Sequence, residues 1–459
     1  MTSATPDGDG QPSKHLVRAG AHIMCSDDEP EPSKHRRHVE PWLSALLQAE
    51  HLNLLIGSGF TTAVAKAASG PAVDLSPLCF QASHADAIQA AASSSAERIG
   101  RGSANFEDQV RSMMELNAGL RVLVAGADTA VVAQERRKWA AALLDEWSTE
   151  LDKSLSTFLK NILSTERHVH AALTGEHAHP EHLRRMVAGF LLPFSSRVAS
   201  RERTHVFTTN YDRLVEYASD LLGVRIIDRF VGSLAPVFQS SRLGIDLHYN
   251  PPGIRGEPRY LEGVVHLTKL HGSVDWRSTD GPSGRREVQR ALLPFGAADD
   301  HPSLPTSPSD QLLIYPNAAK DVETLEFPYA ELFRDFSAAV CQPNAVILTY
   351  GYGFGDDHIN RVLRDMLSIP STHMVIISYH SDCRLRAFLN TAGRDAQVTL
   401  LVGPHFGDLN TLVENYLPKP AIDRTTWRMI DLLNRRTPPA ASRRDPAPQA
   451  DDKPMEDSE

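Results

Sequence analysis

Short apolar runs recur along the chain, and each leads into a polar or glycine-rich turn followed by residues at helical spacing. The clearest run is Ala345–Tyr350 (AVILTY), whose unbroken apolar character predicts a strand buried on both faces. Residues 53–56, 205–207, 264–267, 374–377 and 398–402 read in the same way, 226–227 is a shorter version, and order resumes at 312–316. Helical spacing places Trp42, Leu43, Leu46 and Leu47 on one face, with Pro41 suited to a first turn. Asn105 is placed to cap a helix running to about Leu116, and Glu107 and Asp108 suit its positive end. Further helical stripes run through Trp139, Leu143 and Trp147, through Leu151, Leu155 and Phe158, and through Leu183, Met186, Val187 and Phe190. Helices are also expected over 329–340, from Asp356 onward and from His405 through Val413. Strands alternating with helices predict an α/β fold with a mostly parallel sheet covered by helices, and a helical insertion subdomain over about 120–200.

The ends of the chain differ in composition. Residues 1–38 are rich in Ser, Pro, Asp, Glu and Gly and are expected to form a disordered arm. A terminal helix is expected over 416–435, and a Pro/Asp/Glu-rich disordered tail over 436–459. Residues 278–310 read as a flexible loop and 233–262 as irregular.

Composition excludes several function classes. The 459 residues are 41% hydrophobic and 23% charged, as in a water-soluble core, and the net charge of −10 argues against direct nucleic-acid binding. No apolar run reaches membrane-spanning length and the first 20 residues are polar, so the expected location is cytoplasmic, with no membrane contact. Cys25, Cys79, Cys341 and Cys383 have no paired spacing, which excludes a zinc knuckle or a disulfide scaffold. Histidines and glutamates crowd residues 166–182 (Glu166, His168, His170, Glu176, His177, His179, Glu181, His182) without a metal-ligand spacing, and are read as a solvated loop; no metal site is expected.

Candidate chemistry lies where the predicted strands end, the usual ligand crevice of α/β sheets. Gly57, Ser58, Gly59 and Phe60 follow the first strand and open a helix, an arrangement whose N–H groups can hold a pyrophosphate, with Thr61 or Thr62 adding a hydroxyl. Gly351 and Gly353 allow a sugar or second phosphate to approach closely. Asn210 offers a donor and an acceptor to an amide or a ribose hydroxyl; its bland reading is a helix cap. His271, just past a strand, can serve as a base at neutral pH. Asp212 can orient an amide or stabilise positive ribose charge, or simply cap a helix. Asp356 and Asp357 read as helix-start carboxylates. Together these pieces fit a dinucleotide bound across the strand ends.

Four motifs in order, LLIGSGFTT at 54–62, FTTNYD at 207–212, KLHGSVDW at 269–276 and TYGYGFGDDHIN at 349–360, resemble the bacterial sirtuin-like domain, in particular its zinc-free branch in anti-phage defence. The likeness spans about residues 39–415. It implies a Rossmann-like NAD-binding catalytic domain with helices on both faces of the sheet, and cleavage of the nicotinamide–ribose bond of NAD as substrate. It makes Asn210 and His271 the required residues and maps the later glycine loop onto Gly351, Tyr352 and Gly353. The following carboxylate maps onto Asp356, and Asn105 and Glu107 onto a helix facing the nicotinamide. Classical sirtuins carry GAG and GTS in the two loops, where this chain has GSG and GYG, and they carry two CxxC zinc pairs that it lacks. The resemblance therefore favours water as acceptor and no zinc. It also implies a homo-oligomer working with a separately encoded HerA-type DNA-translocating ATPase, or alternatively with a short Argonaute. The competing readings are an NAD-dependent protein deacylase or ADP-ribosyltransferase, and a non-catalytic NAD- or ADP-ribose-binding regulatory subunit.

Overall fold

The computed structural model describes residues 15–26, 31–73, 75–98, 103–126, 131–175, 180–197, 200–241, 246–249, 259–281, 286–314 and 327–418. Contacts divide the chain after Pro418. The expected helix over 416–435, beyond Pro418, and the expected tail over 436–459 lie outside the described residues.

The apolar runs assemble into one nine-stranded sheet. Its order from edge to edge is His22–Cys25, Leu16–Ala19, Val398–Val402, His373–Ser378, Ala345–Tyr350, His51–Ile56, His205–Thr208, Val264–Lys269 and Arg225–Ile227. The last seven strands of that order are parallel, and the first two form an antiparallel edge hairpin. Ala345–Tyr350 sits inside the sheet and is buried along its whole length, which explains its unbroken apolar sequence. Alternate side chains enter opposite layers. Leu54, Ile56, Leu348 and Tyr350 pack with the helices Pro32–Leu46, Ser58–Ala67, Pro180–Ser195 and Leu214–Leu222. Leu55, Ile347, Met374 and Ile376 pack with Tyr329–Val340, Asp357–Leu367 and Cys383–Ala392. The fold is thus a mostly parallel, Rossmann-like sheet with helices on both faces. Next to His51–Ile56 the chain order reverses, with His205–Thr208 on one side and Ala345–Tyr350 on the other, so the crevice at the strand ends opens beside that strand.

A third core belongs to the helical insertion. The helices Phe106–Ala125 and Val131–Thr174 bury Val110, Met113, Trp147, Phe158 and Ile162 between them. Helical structure begins earlier than the expected 120–200, at Ala85–Arg98.

Three sequence expectations are corrected. Within the expected arm, Leu16–Ala19 and His22–Cys25 form the edge hairpin, with Leu16–Ala19 paired to Val398–Val402. The neighbouring strand supplies the hydrogen bonds that two four-residue strands could not organise alone. Pro41 lies inside the helix Pro32–Leu46, and Pro32 takes the first turn. Part of the expected loop over 278–310 belongs to a second, five-stranded antiparallel sheet ordered Leu312–Ile314, Gly272–Asp280, Arg286–Arg290, Val237–Phe238 and Phe230–Val231. The strand residues inside that segment, 278–280 and 286–290, are mostly polar, so no apolar run marked them.

Two histidines in the main sheet make stability depend on pH. His205 stacks on His266 with ring centroids 4.6 Å apart. Desolvation, with His266 adding repulsion, lowers its pKa to about 3. Desolvation lowers that of His373 to about 4. Each group takes a proton more readily when unfolded, so stability is full above about pH 6.5 and falls as pH drops toward those lowered values, by at most about 1.4 kcal/mol per pH unit for each histidine. Urea midpoints at pH 7.5 and pH 5 should show this loss, and His205→Gln should reduce it. A midpoint unchanged across that range would contradict the account.

Candidate functional site

Four parallel strands deliver their carboxyl ends to one cleft. Gly57 follows His51–Ile56, Asn210 follows His205–Thr208, His271 follows Val264–Lys269, and Tyr352 and Gly353 follow Ala345–Tyr350. The strands leading to Asn210 and His271 are direct neighbours.

Asn210 is buried and held by both donors of its amide. Nδ2 donates to the Gly57 carbonyl and to Thr61 Oγ1, each at 3.0 Å. Gly57 O only accepts, so the nitrogen must face it, and the amide oxygen, with no bond to a described residue, is left for the cleft. Thr61 Oγ1 in turn donates to Asp212 Oδ2 at 2.5 Å. Asp212 Oδ1 accepts from the Leu214 N–H at 3.1 Å, at the start of the next helix. The hydroxyl of Thr61 and both oxygens of Asp212 are therefore engaged in a relay that fixes Asn210. Asn210 presents an acceptor alone, where the sequence suggested donor and acceptor, and Asp212 acts as cap and anchor. Behind it the buried Lys269 Nζ donates to the Asp212 carbonyl and, at 3.0 Å, to Glu216. Burial raises the pKa of Glu216 against the opposing pull of Lys269.

The glycine loops have a different use from the expected one. A Cβ on Gly57 would lie 2.5 Å from the Gly351 carbonyl oxygen, and a Cβ on Gly351, at φ +63°, would lie 2.6 Å from Gly59 Cα. The two loops touch backbone to backbone, and only glycine permits that approach. The Gly57, Gly59 and Phe60 N–H groups donate to Tyr350, Gly351 and Gly57 carbonyls at 3.0 Å, so they are not aimed at a phosphate. Phe60 is fully buried and stacks on Phe190 at 5.1 Å, on the core side of the helix, outside the cleft lining. Ser58 and Thr62 do line the cleft, with Thr62 Oγ1 bonded to the Ser58 carbonyl at 3.1 Å.

The helical insertion closes one wall. Asn105 and Asp108 form a reciprocal cap, each backbone N–H donating to the other's side chain at 3.1 Å. Next to it, the Tyr211 hydroxyl donates to Glu107 Oε1 at 2.9 Å, and Phe158 packs edge-on against the Tyr211 ring. Burial, then the Glu107 charge, raises the Tyr211 pKa well above its ordinary value, so the phenol stays protonated. On the opposite wall the Tyr352 hydroxyl donates to Asn360 Oδ1 at 3.1 Å, and burial beside Asp356 likewise keeps it neutral. Sequence reasoning passed over Tyr211 as a cleft residue, although it sits between two candidates in the NYD motif. It also passed over Arg384, which follows the next strand and is bonded to Asp382 at 3.1 Å. Arg384 is the one lysine or arginine among the described lining residues, and gave no motif by which to find it.

His271 is buried beside Tyr211 and His358. Asp356 stands at the N-cap of Asp357–Leu367 but makes no capping bond. Its carboxylate lies with the two imidazoles, one ligand-type atom from each residue within 4.8 Å of the others. The crowded 166–182 segment resolves differently: Glu166, His168 and His170 are on the helix Val131–Thr174, and Glu181 and His182 on Pro180–Ser195. Residues 176–179, with Glu176, His177 and His179, lie outside the described residues. Among the described residues Cys79, Cys341 and Cys383 are free and no cysteine cluster is present. No described helix is long and apolar enough to cross a membrane.

Residues 204–396 match the model of the SIR2-like domain. A SIR2-like domain, of a family that uses NAD, is therefore present over part of the chain. The match takes in Asn210, His271, the 351–356 loop and Arg384, and leaves the 57–62 loop outside. No curated protein matches the chain.

Proposed function

We propose that the chain is an NAD+ hydrolase that cleaves the nicotinamide–ribose bond with water as acceptor. The observation that carries this reading is the pairing of the Asn210 amide oxygen with His271 at the ends of adjacent strands in one cleft, within a SIR2-like domain. The C1′–N bond breaks, nicotinamide leaves with the electron pair, and ribose takes on positive charge. The Asn210 oxygen accepts a hydrogen bond from the attacking water or a ribose hydroxyl. His271 receives the proton released as the C1′–O bond forms. Asp212, Glu107 and Asp356 give the cleft an acidic lining that suits the cationic nicotinamide ring and ribose, while Arg384 meets the pyrophosphate. Asn105, Ser58, Thr62 and Gly353 complete the walls along the bound dinucleotide.

The wider role rests on the resemblance of the motifs. There the enzyme is the NAD-depleting effector of an anti-phage system, silent as a free chain and activated on assembly with a HerA-type ATPase or, alternatively, a short Argonaute.

The test is product analysis of NAD+ incubated with the purified chain, alone and with the protein encoded beside it. Equal amounts of nicotinamide and free ADP-ribose are expected, reduced about 10²–10⁴-fold in His271→Ala. Modified protein in place of free ADP-ribose would make the chain a transferase. Bound NAD+ that stays intact in every assembly would leave a nucleotide-binding regulator.

A further inference from the structure

We infer that His271, His358 and Asp356 form a binding site for one divalent metal ion of the zinc class. No such site is legible in the sequence, where His271 lies 85 residues from Asp356. The fold joins them by placing the end of Val264–Lys269 against the start of the helix Asp357–Leu367.

The ligand set, two imidazole nitrogens and one carboxylate oxygen, suits zinc or cobalt(II) better than magnesium or calcium, which take all-oxygen sites. Because the three donor atoms lie within 4.8 Å of one another, an ion at their centre stands no more than about 2.8 Å from each, against about 2.0–2.2 Å for zinc–nitrogen and zinc–oxygen bonds. Small side-chain rotations close that gap. The rings are already in place: the His271 and His358 centroids are 5.6 Å apart, and Phe333 packs edge-on against His358 at 4.7 Å. Both histidines are buried, whereas Asp356 is half-buried and lines the cleft, so the ion has a route in and keeps open positions for water on that side. The carboxylates of Asp356 and Asp357 at this helix start offset the positive end of the helix, which would otherwise disfavour a cation.

A metal-bound imidazole nitrogen cannot also accept a proton. In the hydrolase, an ion here and catalysis by His271 exclude each other. That consequence rests on the proposed function; the binding itself does not.

The full-length chain, stripped of metal with a chelator, is titrated with Co²⁺ and followed by the visible absorption of the bound ion, with Zn²⁺ then added as competitor. One equivalent of Co²⁺ per chain is expected, displaced by Zn²⁺, and both His358→Ala and Asp356→Asn should weaken binding by at least about 10-fold. Wild-type affinity in either variant, or no saturable binding by the wild type, overturns the site. Asp356 is the less buried of the two, so Asp356→Asn, checked for a wild-type melting curve, decides the matter should His358→Ala fail to fold. Co²⁺ binding by a chain that, once metal-free and assembled, leaves NAD+ intact would overturn the hydrolase reading and leave the metal site standing.

Discussion

Asn210→Asp should lower nicotinamide release by about 10²–10³-fold, the usual scale for losing one preorganised group aimed at developing charge. The substitution keeps size and shape and changes only the chemistry of one atom. Asn210 Nδ2 donates to Gly57 O and Thr61 Oγ1, both at 3.0 Å. A carboxylate has nothing to donate to Gly57 O, and it meets a hydroxyl already directed to Asp212 at 2.5 Å. Two carboxylates then share one proton donor in a buried site, and repulsion turns the new side chain out of position. The neutral oxygen that faced the cleft is lost with it. Thr61→Val separates position from chemistry: the Asn210 oxygen remains but its relay to Asp212 is cut, so a smaller loss, about 10-fold, is expected. Nicotinamide release measured alongside NAD+ affinity checks both. Asn210→Asp retaining more than a tenth of wild-type turnover would remove Asn210 from the reaction.

Glu166→Ala should destabilise the protein by about 3–5 kcal/mol, since it strands a buried cation. Glu166 is fully buried on the long insertion helix. It accepts from the Arg213 N–H at 2.9 Å, from Arg213 Nε at 3.1 Å and Nη2 at 2.5 Å, and from the Gly296 N–H at 3.1 Å. Arg213 also donates to the carbonyls of Leu293 and Pro294. Its pKa is raised even though burial opposes that, because Glu166 is so close. One carboxylate therefore ties the insertion to the Asn210–Arg213 elbow and to the loop after Arg286–Arg290 of the second sheet. Chemical denaturation of Glu166→Ala and of the double variant Glu166→Leu/Arg213→Met provides the check. Removing both charges should restore most of the loss, because no charge is then left unpaired in the interior. Equal stability of the single variant and wild type would show that water reaches Arg213.

Much of this protein was readable from residue order alone. The six longer apolar runs at 53–56, 205–207, 264–267, 345–350, 374–377 and 398–402 became neighbours in one sheet, because a strand covered on both faces must be apolar throughout and leaves that mark in sequence. The strand ends at Gly57, Asn210, His271 and Gly351 were legible for the same reason, since each run stops abruptly in polar or glycine residues. What each group does there was decided by tertiary structure. Nothing local distinguishes a glycine that cradles a ligand from one that lets two loops touch, as Gly57 and Gly351 do. Phe60 belonged to the loop by position but to the core by the direction of its helix. Glu166 looked like one of several solvated charges until the fold brought Arg213 to it, and His358 gave no signal until its helix met His271. The edge hairpin at 16–25 exists because Val398–Val402 offers it an unpaired strand. Backbone pattern and burial are properties of neighbours in sequence, whereas partners for charge, hydrogen bonding and metal come from residues that only the completed fold brings together.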